Sequence, residues 1–551
     1  MDSLRVIPLG GLGEFGSNMM VLEYGDSVIA IDCGVMFPSA EHLGIDLLIP
    51  DVSYLVDQGR VPEAIILTHA HEDHIGAVPY LLKKFNVPLY GTRLTLGFLQ
   101  HKLREHRLES STTLHEITPG ERFSVGPFTI EGIPVTHSLA NCIALAIETP
   151  VGLVMHTGDF KIDSTPMDGE SFNFRRFAAY GEKGIQLLLS DSTNVEQTGY
   201  TPSERVVGGG LREIFNNSPG RIFITTFASH IPRIQQVAEL SHSFDRKLVL
   251  SGRSMVNNTQ IASELGYLQL PRGTMTENQS WNDVANDQLC FLTTGSQGEP
   301  MSVLHRIAFD EHRNIKIRPG DTFVLSAKFI PGNEKAISNL INHLYRRGAR
   351  VHYQRSDGIH VSGHASQEEL KTMLQLTRPR YFVPIHGEYR QLYRHTELAR
   401  AIGIPRENCF LLENGQVLEL GQDSAQRGET VATGKVFVDG KGIGDVEDIV
   451  IRDRRHLSED GMVMVVLGIH QQTGEVVAGP DLVARGFIRS EEEQELLDQA
   501  RQSVRDYLDG CGPELRTDSA ELKEEIRRSL RRFFQKRLRR RPVVLPFIME
   551  M

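Results

Sequence analysis

The stretch "EAIILTHAHEDHIGAV", residues 63–78, sets a short apolar run against a cluster of metal-binding side chains. Ile65, Ile66 and Leu67 read as a buried strand, and His69, His71, Asp73 and His74 follow almost at once. Imidazole and carboxylate donors suit zinc or manganese, and paired sites of this kind suit hydrolysis of phosphate esters. The spacing is HxHxDH rather than the helical HExxH, which puts the cluster on a loop after a strand. On such a loop, alternate side chains can turn toward two adjacent ions. One histidine alone would be structural or simply exposed, but a cluster this dense points to a metal site.

The same design recurs elsewhere. "VIAIDCG" (28–34), "FTIEGIPVTHS" (128–138), "LVMHTGDF" (153–160) and "IQLLLSDS" (185–192) are apolar runs that finish in histidine or aspartate. Buried strands ending this way bring their polar groups together along one edge of a sheet. Gly11, Gly13 and Gly16 match the GxGxxG spacing of a dinucleotide fingerprint. That fingerprint needs a following helix, whereas "NMMVLEY" and "SVIAIDCG" read as strands, so the glycines are expected to form a strand-to-strand loop.

At 551 residues the chain is too long for one core. Strand-rich residues 1–205 are followed by an α/β insert at 206–350, where strands alternate with helices as in parallel βαβ units. The strand-ending-in-histidine pattern returns over 351–425, in "HVSGHAS" (360–366) and "YFVPIHGEY" (381–389), so the first domain is read as split. Residues 426–446 are polar and turn-rich and read as a linker, ahead of a small αβ domain at 447–551. No apolar run approaches the roughly 20 residues of a membrane span. The N-terminus enters a strand-like "LRVIPLGG" without a signal segment, and the scattered cysteines suggest no disulfide framework, so a reducing cytoplasm is expected. A net charge of −11 argues against a protein that coats nucleic acid nonspecifically, yet leaves room for a local basic channel.

With Asp32, His69–His74, His137 and Asp159 in order, the sequence resembles the metallo-β-lactamase superfamily. That resemblance implies an α/β fold, the αβ/βα sandwich. It also implies that His69, His71 and His137 bind one ion, that Asp73 and His74 bind a second, and that Asp159 bridges them. Asp32 would orient the histidine loop, and the implied chemistry is attack by a metal-bound hydroxide. Asp191 in "LLLSDSTN", His364 in "HVSGHAS" and His386 in "PIHGEYR" match the β-CASP branch, which cleaves nucleic acids. By that match His386 completes the second ion's shell, His364 acts at the scissile phosphate and Asp191 supports it; His364, Asp73 and Asp191 are the implied catalytic residues. "TGSQGEP", "GIGDVEDIVIRDRR", "AGPDLVARGF" and the terminal "RRPVVLPFIME" extend the likeness to the ribonuclease J family over nearly the whole chain.

The ribonuclease J resemblance implies cytoplasmic 5′→3′ exonuclease and endonuclease action on single-stranded RNA, with a 5′-monophosphate preference, in RNA maturation and decay. It further implies two divalent ions per subunit (zinc or manganese, with magnesium as an alternative for activity), a homodimer or homotetramer, RNA-degradation partners and no membrane. The expected phosphate contacts are Ser229, His230, Arg253 and Ser254 on the insert, and His360, Val361, Ser362, Gly363, His364, Ala365 and Ser366, because hydroxyls and backbone N–H groups suit phosphate oxygens. Plain turn chemistry is the alternative for these short motifs. His230, Pro232 and Lys328 depart from the family pattern and touch the expected RNA channel. Leu43, Ile45 and Asp445 are candidate ligands of a structural cation, for which calcium would suit all-oxygen donors, against the alternative of a solvated acidic turn. Asp518 is the expected N-cap of a basic helix that stops at Pro542 and packs through Leu522, Ile526, Phe533 and Leu538. The competing function is a small-molecule metallo-hydrolase of lactamase or thioesterase type, which the insert disfavours.

Overall fold

The computed structural model describes residues 3–39, 41–276, 280–330, 332–440, 442–444, 448–488 and 493–551. Two sheets build the first domain. One runs, in spatial order, Ala425–Thr430, Gln416–Leu420, Leu4–Gly10, Met19–Tyr24, Ser27–Ile31, Ala64–Ile66, Leu89–Gly91 and Leu114–Glu116. The other runs Tyr381–Ile385, Leu187–Asp191, Gly152–His156, Cys142–Thr149, Phe128–Val135 and Arg122–Val125. Side chains alternate across a pleated strand, so one face of each sheet supplies every second residue to a shared core. Leu4, Val6, Ile29, Ile31, Ala64 and Ile66 from the first sheet meet Ile143, Leu145, Leu187, Leu189, Val383 and Ile385 from the second. The intervening Val28, Ala30, Ile65, Leu188 and Phe382 are also buried, on the outer faces. Near-continuous apolar runs are what strands covered on both sides require.

Strand direction explains why ligand-type residues gather. Ser27–Ile31 and Ala64–Ile66 are parallel, with Ile31 beside Ile66, so Asp32 and the 69–74 cluster emerge at one edge. In the second sheet Gly152–His156, Leu187–Asp191 and Tyr381–Ile385 are parallel, with Asp191 beside Ile385. Asp159, Asp191 and His386 therefore leave on a common side. The glycine-rich stretch is a loop: Leu12–Gly13 pairs with Gly387–Glu388, and the next element is the strand Met19–Tyr24.

The insert is a parallel sheet in the order Lys247–Ser251, Leu289–Thr293, Ile222–Thr225, Thr322–Leu325 and Arg350–His352. Its last strand carries the insert beyond residue 350, where the sequence pattern placed its end. Register sets Phe223 beside Phe291 and Phe323, and the three rings stack at centroid distances of 4.6 and 4.5 Å. Because every pairing is parallel, the segments after these strands share the edge where α/β sheets usually bind ligands.

The stretch 426–446, expected as a linker, is structured at its start. Ala425–Thr430 pairs antiparallel with Gln416–Leu420 at the sheet edge. Its polarity is that of a water-facing edge strand rather than of an unstructured connector. The chain forms two compact units, one of Met1–Phe37 and Leu48–Val436 and the other of Pro38–Leu47 and Phe437–Met551. The latter holds a sheet of Val476–Arg485, Met462–Ile469 and Val543–Glu550, backed by helices Glu493–Gly510 and Ser519–Leu538. Asp518 caps the second helix through the backbone N–H groups of Ala520 and Glu521, each at 3.0 Å. Its buried face is Leu522, Ile526, Leu530 and Phe534, an i+4 row, with Phe533 and Leu538 only partly buried. The helix ends at Arg539, in a left-handed conformation at φ 55°, ahead of Pro542. No helix among the described residues is long and apolar enough to cross a membrane.

Candidate metal centre

After Ala64–Ile66 the chain runs as a loop through His71, which precedes the one-turn helix Glu72–Ile75. His69 and His71 thus sit on the loop, while Asp73 and His74 sit on the helix rather than on the loop expected for the whole cluster. Gly34 makes the close approach workable: a Cβ there would meet the Asp73 carbonyl oxygen at 1.6 Å.

His69, His71 and His137 aim one nitrogen each at a common point. His69 Nε2 lies 3.0 Å from His71 Nδ1, and His137 Nε2 lies 3.2 Å from the same atom. Ligands at about 2.0–2.1 Å in a tetrahedral zinc shell stand about 3.3 Å from one another, so the donors fit such an ion. The opposite ring nitrogens fix the tautomers. His137 Nδ1 is 2.8 Å from the Gly363 carbonyl, which can only accept, so Nδ1 carries the proton and Nε2 presents a lone pair. The Thr68 hydroxyl donates to Asp32 at 2.8 Å and accepts from His69 Nδ1 at 3.0 Å. Asp32 also accepts from the Thr68 N–H and from His74 Nδ1, each at 2.8 Å. A buried carboxylate thereby orients two rings, the kind of outer support metal ligands need.

Asp73, His74, Asp159 and His386 form a second group of donor atoms, and Asp159 belongs to both. Asp159 Oδ2 lies 3.6, 3.4, 3.8 and 3.5 Å from the Nε2 atoms of His69, His74, His137 and His386. The Thr193 hydroxyl donates to the His386 carbonyl and accepts from its Nδ1 at 2.6 Å, which turns Nε2 inward. Asn18 Nδ2 donates to the Asp73 carbonyl at 2.9 Å and sits 3.2 Å from His74 Nε2. Asp32 and His386 both have positive φ, at 59° and 56°. That backbone region is unfavourable for residues with a Cβ and recurs at functional sites.

The two donor groups differ in charge. Burial, reinforced by neighbouring imidazoles, pushes His69 and His137 well below the ordinary histidine value and His71 down to about 4. These are neutral donors. For His74 and His386 burial pulls the same way but is outweighed by Asp159 with Asp73, Asp32 or Asp191, so His74 is held well above its usual value and His386 at about 9. Burial works against the ionised forms of Asp73 and Asp159, yet the adjoining histidines hold both below the carboxylate range. With no cation bound, the carboxylates thus favour the charged imidazole in the second group, and burial favours the neutral one in the first.

His364 stands beside this centre. Its Nδ1 is 2.8 Å from Asp191 Oδ2, so the carboxylate fixes the proton there and leaves Nε2 for other partners. The ring lies edge-on to His137 at 4.9 Å and stacks with His386 at 5.4 Å. In the rest of "HVSGHAS", Val361, Ala365 and Ser366 are buried. Ser366 is spent as the N-cap of helix Gln367–Thr377, in a capping box with Glu369. Ser362 accepts from the His364 N–H at 3.2 Å. Gly363 is part-way under the His137 ring, where a Cβ would come within 2.7 Å.

Some of the expected contact residues are turned into the protein, and others stay at its surface. His230 is 2 % exposed, with Nε2 3.5 Å from buried Glu204, so an internal carboxylate engages it where an RNA contact was expected. The His360 ring nitrogens are buried as well. Ser229 is half-buried, and Arg253 and Ser254 are exposed at the start of helix Arg253–Glu264, on the ligand edge of the insert. The Leu43 carbonyl accepts from Arg454 at 3.0 Å. A guanidinium placed there disfavours the cation expected through Leu43 and Ile45, whose own side chain is buried; Asp445 lies outside the described residues. Asn18, Thr68, Thr193 and Asn194 were not singled out from sequence. Their signal was adjacency to the quoted motifs, and only the folded contacts reveal their use.

Comparison with known proteins agrees with this architecture. The Metallo-beta-lactamase superfamily model matches residues 12–192, and Ribonuclease J, beta-CASP domain, matches 219–344. The Zn-dependent metallo-hydrolase RNA specificity domain matches 348–411, and the Ribonuclease J C-terminal domain matches 449–551. Ribonuclease J of Thermus thermophilus is 41% identical over 560 residues, covering 100% of this chain and 96% of the relative. Ribonuclease J 1 of Streptococcus pyogenes is 41% identical, covering 100% and 98%, and Ribonuclease J2 of Bacillus subtilis is 38% identical, covering 100% and 99%. A solved structure of a protein of unknown function from Enterococcus faecalis V583 matches with TM-score 0.54 at 17% identity, over 76% of this chain and 100% of that one, which bears on the fold alone. Motif order, site geometry and full-length similarity agree, and the chain belongs to the ribonuclease J family.

Proposed function

We propose that the chain is a metal-dependent ribonuclease acting on single-stranded RNA with two divalent ions, zinc or manganese, and magnesium as an alternative for activity. The observation that carries this reading is the Asp159 carboxylate, common to the His69/His71/His137 group and the Asp73/His74/His386 group. With a carboxylate common to both donor sets, the His69/His71/His137 group and the Asp73/His74/His386 group would each hold one divalent ion. When bound, such ions supply Lewis acidity and ready nucleophilic water at phosphorus.

The chain's own residues do the rest. Asp32 and Thr68 hold His69 and His74 in the productive tautomers, and Gly363 does the same for His137. Asp191 keeps the His364 proton on Nδ1, so in the imidazolium form Nε2 is the atom that delivers a proton to the leaving 3′ oxygen. The two parts of the first domain supply the centre, and the insert, which ends with the strand Arg350–His352, supplies the cover that admits a strand of RNA.

The names of the relatives and the RNA specificity match at 348–411 support ribonuclease action on RNA, and to that reading belong 5′→3′ exonuclease and endonuclease activity with a 5′-monophosphate preference. The proposal includes a role in RNA maturation and decay in the cytoplasm, as a homodimer or homotetramer. The test is purified protein on 5′-monophosphorylated, 5′-triphosphorylated and circular RNA, with and without chelator. Mononucleotides released from the first substrate and cuts in the circle are expected, both abolished by chelator. His74→Ala should lose cleavage while folding and much RNA binding persist. Cleavage unaffected by chelator or by His74→Ala would reject the two-ion reading, and turnover of lactams or thioesters without RNA cleavage would replace it.

A further inference from the structure

The parallel sheet of the insert has a second edge, opposite the one where its strands end. Residues 309–321 run along it before entering the strand Thr322–Leu325, and helices Val303–Ala308 and Glu334–Arg346 bring their C-terminal ends to it. The segment is pinned. Ile315 is buried in the core of the insert, and buried Arg221, just ahead of the strand Ile222–Thr225, donates to the Lys316 carbonyl at 2.7 Å. The Arg318 N–H donates to Asp321 Oδ2 at 2.7 Å. Arg313, Lys316 and Arg318 are left exposed on this fixed backbone. The Phe309 ring joins the two helix ends, with centroids 4.3 Å from His305 and 4.0 Å from His343. Arg306, Arg346 and Arg347 stand at the same ends.

Positive charge is in excess on this edge. Of the carboxylates in the segment, Asp321 is spent on Arg221 through a bond of 2.9 Å, Asp310 meets Lys316 at 2.8 Å, and Glu311 is exposed. Among the described residues the five arginines form no ion pair, and the Nε atoms of Arg306 and Arg347 are buried without a partner. Lys316, with Arg347 adding to it, holds the Asp310 carboxyl below its usual value, and burial with Arg306 and Lys316 lowers the His312 imidazole. Cations from the segment and from both helix ends thus act on the same few groups. A helix C-terminus favours basic residues, which accounts for Arg306 and Arg346. It does not account for Arg313, Lys316 and Arg318, which lie outside any helix. On a chain of net charge −11 this edge reverses the sign locally, and unpaired guanidiniums suit the phosphates of a polyanion.

We propose that this edge of the insert is a second RNA-binding surface, holding the phosphate backbone of a long RNA away from the point of cleavage. This rests on the ribonuclease reading above, which also makes RNA the polyanion the chain handles. The four residues of Thr322–Leu325, about 13 Å of strand, separate the surface from the ligand edge of the sheet. An RNA must run round the insert to touch both, so a long substrate gains from the surface and a short one does not.

The experiment compares the full-length wild type with Arg313→Gln/Arg346→Gln and Arg313→Glu/Arg346→Glu, which alter exposed side chains only. Two 5′-monophosphorylated RNAs are used, a single strand of about five nucleotides and one of about 40. Binding is measured after chelator treatment between about 50 and 300 mM salt, and steady-state cleavage with metal restored. For the long RNA the glutamine variant should bind about 10-fold more weakly, with the log–log salt slope flattened by roughly 1.4, the share of two phosphate contacts on a single strand. The glutamate variant should bind more weakly still. KM for the long RNA should rise with kcat little changed, and all constants for the short RNA should stay at the wild-type values. Unchanged affinity for the long RNA would overturn the assignment, and loss of binding to poly-glutamate alone would give the surface to an acidic protein segment instead. An equal loss on the short RNA would also overturn it, by placing the effect at the centre. A wild type that cuts neither RNA would refute the ribonuclease reading itself, a result the variants cannot mimic.

Discussion

A methyl group at Gly363 would lie 2.7 Å from the His137 ring, too close for the ring to stay where it is. Gly363→Ala should therefore rotate His137 away from the shared point and break its bond to the residue 363 carbonyl. Metal affinity should fall about 10- to 100-fold, the usual cost of losing a ligand's outer support, and titration calorimetry with zinc or manganese would read it; unchanged affinity would show that the ring does not need this contact. A second residue reports on pH. His395 is fully buried, 3.0 Å from the Ser192 hydroxyl and edge-on to Phe382, and burial pushes it down to about 3. Unfolded, it titrates near about 6.5. Between those values the unfolded chain binds a proton that the folded chain refuses, so stability rises with pH. Its contribution is complete above the unfolded value and is lost as pH falls toward the folded one, at up to about 1.4 kcal/mol per unit. His395→Asn, followed by thermal unfolding from pH 7 to 4.5, should show a deficit against wild type that shrinks as pH drops. A pH-independent deficit would mean that His395 acts by packing alone.

At the scale of elements, the insert is fastened to the catalytic segment by a buried ion pair. Arg233, on helix Ile231–Ser243, is fully buried, meets Glu204 at 2.9 Å through Nε and donates to the Ile359 carbonyl at 2.8 Å through Nη1. The Coulombic pull of Arg233, with His230 helping, overcomes burial and keeps Glu204 ionised, well below its ordinary range. Arg233→Met should destabilise the protein by about 3–5 kcal/mol, because it strands a buried carboxylate. Adding Glu204→Gln should recover part of the loss. Chemical denaturation of both variants would check this, and a double variant no more stable than the single one would place the cost in packing rather than charge. Elements also show where pattern reading reached its limit. The C-terminal helix was expected to bury Phe533, but Leu530 and Phe534 continue the i+4 row from Leu522 and Ile526. Two adjacent phenylalanines cannot both face the core, and the facing sheet chooses between them.

Across the whole molecule, the candidate centre draws on residues from Asp32 to His386, while Pro38–Leu47 and Phe437–Met551 form a separate unit with its own core. A ligand that binds only the folded state stabilises it in proportion to the logarithm of its concentration over Kd. Metal should therefore raise the unfolding temperature of the unit holding the histidines and leave a C-terminal transition in place. Differential scanning calorimetry with and without chelator should resolve one metal-sensitive and one metal-insensitive transition, whereas a single transition shifting as a whole would show that the units unfold together. Much of the fold was legible for a simple reason: each strand is an apolar run closed by a polar residue, and the parallel register turns those ends into an edge. The ribonuclease J motifs were legible at the same level. The partners of Asn194, Thr193 and Asn18 were not, since each is set by a contact between segments far apart in sequence.

The sequence by itself determined which residues can bind a metal and on which strand ends they stand, because burial and side-chain chemistry are written locally. Only the tertiary structure decided that Asp159 faces four imidazoles at once, that His230 turns inward to Glu204, and that Lys328 reaches across to Asn194. Those outcomes depend on distances of a few ångströms between distant segments, and such distances are set when sheets and loops pack against one another.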